Sequence, residues 1–234
     1  MANDLLSKLI EEEITVRLTF TDDILGSAPS DPELYSSYVA AKAPDAKTME
    51  QEIEEYGVDA VREKQRTVFL TDRDGELILK GYQIKGFFKD SCGALRDNTR
   101  TESSELRAYK KKIDGMIFIK ESNILIEHIS DIKDCQRPLR AQTPQGERIA
   151  IAVSDAIEAG AQITFTIQLM SKSYEKVVLE WLDYGQFRGL GQWRNSGKGR
   201  FTYEVLSIWP DPEDEKTAES TPAKKRGRPK KEGA

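Results

Sequence analysis

The chain has 234 residues, 38% of them hydrophobic and 32% charged, with a formal net charge of −5 at pH 7. That supports one sizeable core with appendages, and no apolar run approaches the roughly 20 residues needed to span a bilayer. The start, MANDLLSKLIEEE, lacks the basic, apolar and small-residue order of an export signal, and Cys92 and Cys135 are too few for a disulfide framework; the sequence reads as a cytoplasmic protein with free thiols.

EITVRLTF (13–20) alternates Ile14, Val16, Leu18 and Phe20 with polar residues, the period of a half-buried strand. DDILGSAPSDPE ends it with turn formers. Residues 31–64 are acidic and nearly free of glycine, and read as a helical insert. TVFLTDRDGELILKGY (67–82) reads as a hairpin about Asp74-Gly75. IKGFFKDSCGALRD (84–97) places Phe88, Cys92 and Leu95 on one helical face, with Cys92 as a buried thiol. A second helix is expected over 103–112, then short strands at 115–119 and 124–129. QRPLRAQTPQGER is a polar loop or a projecting hairpin. Residues 148–153 and 162–169 read as strands. SYEKVVLEWLDYG (173–185) carries Tyr174, Val178, Trp181 and Leu182 on one face and is expected to end at Gly185. A glycine-rich loop, GLGQWRNSGKGRF (189–201), precedes a last strand over 200–208. Residues 211–234 have almost no apolar side chain and read as a disordered tail, acidic then basic. Strands interleaved with helices in this way predict an α+β domain over 1–210 with helices on an antiparallel sheet.

Charge is uneven. Residues 1–60 hold fourteen acidic and four basic side chains, and residues 80–145 hold nine acidic and thirteen basic. An acidic chain of this kind can carry a local basic surface suited to a polyanion. Ordinary solvated faces are the other reading.

Two stretches carry a family resemblance. Gly189-Leu190-Gly191, then QWRNS, then Gly197-Lys198-Gly199 resembles the glycine-rich loop of the RAMP superfamily, the RNA-binding repeat-associated proteins of CRISPR systems. Tyr82-Gln83-Ile84-Lys85-Gly86-Phe87-Phe88-Lys89 resembles the strand-to-helix element of RAMP effector backbone subunits. The likeness covers about residues 10–208, and the whole chain is similar to stand-alone phage and prophage proteins. The resemblance implies a ferredoxin-like (RRM-like) core that grips a nucleic-acid backbone. The chain departs from the family where cleaving members carry a catalytic Asp loop: the acidic insert takes that place, with Asp31 the nearest candidate.

Glycines let backbone N–H groups approach phosphates, and concave runs of such groups bind anions. Gly189, Gly191, Gly197 and Gly199, with Arg188, Arg194, Lys198 and Arg200 around them, form the first expected nucleic-acid contact. Trp193 either stacks on a base or packs inward. Lys85, Gly86 and Lys89, one helical turn apart, extend the same groove, and Arg137 and Arg140, flanking the stiff Pro138, form a third basic element. In the tail, Arg226-Gly227-Arg228-Pro229 is similar to an AT-hook, which inserts into narrow A·T minor grooves. His128, the lone histidine, has no partner motif; no metal-spaced Cys/His cluster and no nucleotide-loop signature is present. No cofactor or metal is expected.

These features predict a non-catalytic protein binding single-stranded RNA or DNA, with A·T-rich duplex a target of the tail and self-association along a strand a further expectation. The alternatives are a RAMP-like ribonuclease using His128 or an acid in the 22–31 loop, an interaction factor that mimics or blocks a host defence complex through its acidic 1–60 face, and a nucleotide-binding sponge.

Overall fold

The computed structural model describes residues 9–30, 66–143 and 146–210, and for 139–143 and 146–150 the backbone alone. The expected helical insert with Asp31, and the tail with Arg226, Gly227, Arg228 and Pro229, lie outside the described residues.

The architecture is α+β. The first strand, β1 (Glu12–Phe20), buries Ile14, Val16, Leu18 and Phe20 at no more than 1% exposure, while the side chains between them face the other way. After it come β2 (Ile24–Leu25) and β3 (Ala28–Pro29), then β4 (Thr67–Val68), β5 (Leu70–Thr71) and β6 (Leu77–Lys80). The turn before β6 is held by Asp72, whose carboxylate accepts the N–H groups of Asp74 and Glu76, both at 2.9 Å.

The hairpin stops earlier than its pattern suggests. The chain passes from Lys80 directly into α1 (Gly81–Leu95), three residues before the expected helix start. Gln83 explains the early start: its Oε1 accepts the Lys80 N–H at 2.8 Å and caps the first turn. Ile84, Phe87, Phe88 and Cys92 form its buried face, and burial pushes the Cys92 thiol upward.

The single helix expected over 103–112 is two, α2 (Glu102–Glu105) and α3 (Tyr109–Met116). Between them Ala108 takes a left-handed conformation (φ 51°) and Leu106 packs against the core. Glu180 fixes α2: its carboxylate accepts the N–H groups of Glu102 (2.7 Å) and Ser103 (3.1 Å), and Ser103 Oγ in turn accepts Trp181 Nε1 at 2.9 Å.

Next come β7 (Ile117–Ile119), β8 (Asn123–Glu127), β9 (Ile132–Thr143), β10 (Gly146–Ile157) and β11 (Gln162–Leu169). The segment open between loop and hairpin is a hairpin: β9 and β10 pair antiparallel from Ile132↔Ile157 to Thr143↔Gly146. Pro138 sits within β9, opposite Ile151. Among the described residues β9 has no second neighbour, and proline is tolerated on such an edge.

The helix before the glycine loop, α4 (Glu175–Arg188), does not end at Gly185 as expected. A Cβ at residue 185 would lie 2.1 Å from the Phe201 ring, so this glycine serves close packing inside the helix and Gly189 follows the helix instead. The last strand is β12 (Phe201–Trp209).

The large sheet has the order β12-β1-β11-β8-β6-β5, with β7 beside β11. Its long central pairs, β12–β1 and β1–β11, are antiparallel. A second sheet joins β2, β10, β4 and β3, with β9 on β10. Helices α1 and α4 pack on the apolar face of the large sheet. Phe88 and Trp181 meet at 5.3 Å between ring centroids, and Phe87 meets Phe201 edge-on at 5.3 Å. Each fully buried aromatic contributes on the order of 1.5–3 kcal/mol by area. This core fixes the positions of α1, α4 and the loop after α4. Among the described residues, no helix is long and apolar enough to cross a membrane.

Candidate nucleic-acid interface

The loop at 189–200 closes on its own backbone. Gly199 has φ 71°, and a Cβ there would stand 1.8 Å from the Leu190 carbonyl oxygen; one at Gly189 would stand 2.6 Å from that of Lys198. The Leu190 N–H donates to the Gly199 carbonyl at 2.8 Å, which ties the two ends together. Only glycine permits that approach in this backbone conformation. The N–H groups of Gly189, Gly197 and Gly199 donate to carbonyls of Gly185, Arg194 and Asp23. These glycines shape the loop, and their own donors are used within the protein.

Several loop donors are left over, among them three at its tip. Trp193 is left-handed (φ 54°, ψ 33°) and Arg194 begins a right-handed turn, Arg194–Ser196. Successive residues of opposite hand aim their N–H groups to one side, as in anion-binding nests. Among the described residues none accepts the N–H groups of Trp193, Arg194 or Asn195.

The β9–β10 hairpin reaches this tip. Arg137 stacks over Trp193, with 5.2 Å from guanidinium carbon to ring centroid, and its Nη2 donates to Gln192 Oε1 at 2.8 Å. Its Nε and Nη1 are out of solvent and find no acceptor among the described residues. Trp193 therefore neither packs into the core nor stands free: at 36% exposure it forms a shelf for Arg137. Arg140 follows in β9 opposite Ile149, with only its backbone described.

Most of the remaining basic residues are tied to acids. Arg188 donates through Nε to Asp90 Oδ2 (2.7 Å) and through Nη1 to Asn195 Oδ1, and Arg194 Nη1 reaches Asp90 Oδ2 at 3.0 Å. Burial raises the Asp90 carboxyl, but the Arg188 hydrogen bond and the charges of Arg194 and Arg188 outweigh it and hold it below its ordinary value. Lys198 bonds Asp23, and that hydrogen bond pushes its ammonium upward. Lys89 pairs with Asp114 at 2.6 Å. Lys85 donates to the Asp114 carbonyl (3.1 Å) and lies 4.6 Å from the Phe118 ring centroid; burial lowers its pKa. Arg200 is exposed, its guanidinium against Gly197, and Gly86 is an open position on α1.

Three cavities adjoin along this surface. The largest, about 850 Å³, lies between α1, α3, α4 and the loop, where Lys89, Lys110, Arg188 and Arg194 outnumber Asp90. It shares Arg188 and Arg194 with one of about 320 Å³ at residues 191–195. That in turn shares Gln192 with a third, about 380 Å³, lined by Ala28, Pro29, Leu70 and Tyr82. Lys89, Arg188 and Arg194 thus line one cavity and Arg137 lies over Trp193 of the next, whereas Lys85 sits towards Phe118 of β7.

Sequence reasoning did not pick out Asp90, Gln192, Tyr82, Tyr109 or Tyr184. His128, exposed with φ 55° at the end of β8, lies in a bend. Among the described residues no three His, Cys, Asp or Glu side chains gather closely enough to share a metal ion.

No family model and no curated protein matches the chain. Among solved structures, it is similar to a chain in a cryo-EM structure of the type III-B Cmr-beta bound to cognate target RNA. The TM-score is 0.49 at 12% identity. The match covers 88% of this chain and 63% of the other, so the chain spans less than two thirds of that chain's length.

Proposed function

We propose that this protein binds single-stranded RNA or DNA by its backbone, without cleaving it, along the groove where the β9–β10 hairpin meets the glycine loop. The observation that carries the reading is Arg137: two of its guanidinium nitrogens are buried without an acceptor, over the Trp193 ring at the tip of the glycine loop. Buried guanidinium N–H groups without an acceptor are costly unless an anion completes them. Phosphodiesters repeat at a spacing that lets one strand reach the cations around the adjoining cavities, so a polyanion suits the groove better than a lone ion.

In this reading the core is ferredoxin-like and of RAMP type. The order β12-β1-β11-β8, with α1 after β1 and α4 between β11 and β12, supports that topology. The tail residues Arg226–Pro229 raise affinity by keeping a second basic segment at high effective concentration. The phage-type placement rests on sequence resemblance alone.

The test is a titration of labelled single-stranded oligonucleotides at several salt concentrations, with the full chain and with Arg194→Ala. Wild-type affinity falling with salt, and a folded variant that binds more weakly, is the expected result. Equal affinities for both proteins overturn it.

A further inference from the structure

Gln192 belongs to two cavities at once, and its amide is oriented. A guanidinium only donates, so the contact from Arg137 Nη2 fixes Oε1 on the Arg137 side. The Nε2 amide group then points away from Arg137. The cavity of about 380 Å³ that Gln192 shares with the loop is lined by Ala28, Pro29 and Leu70, by Thr67, whose hydroxyl is shared with Ser154 Oγ at 2.7 Å, and by Tyr82 along one wall. Tyr82 is 66% exposed, on the first turn of α1, although aromatic rings normally bury most of their surface. Ser27 Oγ, also in the lining, accepts Gln83 Nε2 at 2.7 Å and so keeps its own proton to donate. The cavity therefore offers a flat aromatic, apolar walls and two hydrogen-bond donors, at the small end of the range for specific ligand pockets.

Resting on the function proposed above, we infer that this cavity takes one unstacked nucleobase of the bound strand. The base stacks on Tyr82 and presents acceptor atoms to Gln192 Nε2 and Ser27 Oγ. A nucleobase is planar, apolar on its faces and edged with carbonyl and ring-nitrogen acceptors, which is the complement of this lining. Continuity adds to the match. The residue that donates to the base is held by the arginine assigned to the backbone phosphate, so one strand meets both contacts in passing from one cavity to the next. A paired base cannot enter, and the site selects single strands.

The experiment compares the full chain binding two labelled oligomers of equal length, one with all its bases and one with an abasic unit at every position. Ribose and deoxyribose series show which polymer supplies the base. Wild type is expected to bind the base-bearing strand roughly tenfold more tightly than the abasic one, as base–aromatic stacking implies. Tyr82→Ala should remove most of that difference while leaving the abasic affinity unchanged, and Tyr82→Phe should keep it; Gln192→Ala, which also frees Arg137, should lower the affinity for both oligomers and narrow the difference between them. Because Tyr82 is exposed, unchanged thermal melts are expected for its variants. Wild-type binding that ignores the bases, or a Tyr82→Ala variant that still discriminates as wild type does, overturns the inference and leaves backbone binding intact. Binding to neither oligomer overturns both readings together.

Discussion

Arg137 and Trp193 lie 56 positions apart in sequence and stack at 5.2 Å from guanidinium carbon to ring centroid. The pairing joins the edge strand of a hairpin to the tip of a glycine loop, and it holds a guanidinium with two unclaimed N–H groups there. Stacking leaves the N–H edge of a guanidinium free to donate, so the shelf orients Arg137 without using it up.

Removing either partner should therefore weaken binding more than stability. Arg137→Ala and Trp193→Ala are each expected to reduce single-strand affinity about tenfold, the scale of one charge-assisted contact. Because each acts through the other, the double variant should lose less than the sum. A double-mutant cycle measured by anisotropy checks this; strict additivity would separate the two roles.

Asp90 competes for the same cations. It takes the Nε and one Nη1 of the two arginines that frame the groove. Asp90→Asn keeps the shape and removes the charge. Single-strand affinity should rise, roughly fivefold if one unit charge about 4 Å away in water is lost. The melting temperature should fall by about 2–4 °C, as expected for the loss of about 1 kcal/mol in a chain of this size. Titrations and thermal melts of the variant test both signs.

The same carboxylate predicts a pH dependence. Its folded pKa lies below the ordinary aspartate value of 3.8, so its contribution to stability is fully present above pH 3.8 and is lost as pH falls through the lower folded value. From neutral pH down to about 5 it should contribute no slope. Below that, Asp90→Asn should show a smaller acid-induced loss of stability than wild type. Denaturant melts across this range measure the difference.

Glycine substitutions separate shape from contact. Gly185→Ala drives a methyl into the Phe201 ring, with an expected cost of about 1–3 kcal/mol. Gly86→Ala meets nothing within 4 Å and should stabilise α1 by about 0.5–1 kcal/mol. If the nucleic-acid backbone passes close over α1 at this point, the same variant binds more weakly although it is more stable. Calorimetry and titration of the two variants distinguish these effects.

The local periodicities were legible in the sequence. Ile14, Val16, Leu18 and Phe20 define β1, and residues 162–169 define β11 to the residue, because alternation is a property of neighbouring positions. Gly185 was not, because its reason is the Phe201 ring, which comes from the strand beyond the loop. The glycine loop was visible as a candidate from spacing and charge. Its arrangement was not: Asp90 reads locally as a solvated helical acid, and its two arginine partners are about a hundred positions away. Gln192 and Tyr82 carried no signal of their own, since a cavity wall assembled from distant segments leaves no pattern in any one of them.

The central claim is that the groove, rather than the basic tail, grips the strand. The most direct measurement is the affinity of the full-length Arg137→Ala/Arg194→Ala double variant for a labelled single strand, beside wild type, across a salt series. The account predicts a loss of well over tenfold and a shallower salt slope, by about 0.7 for each phosphate contact removed, in a variant that keeps its cooperative fold. Wild-type affinity and slope in the double variant would contradict it.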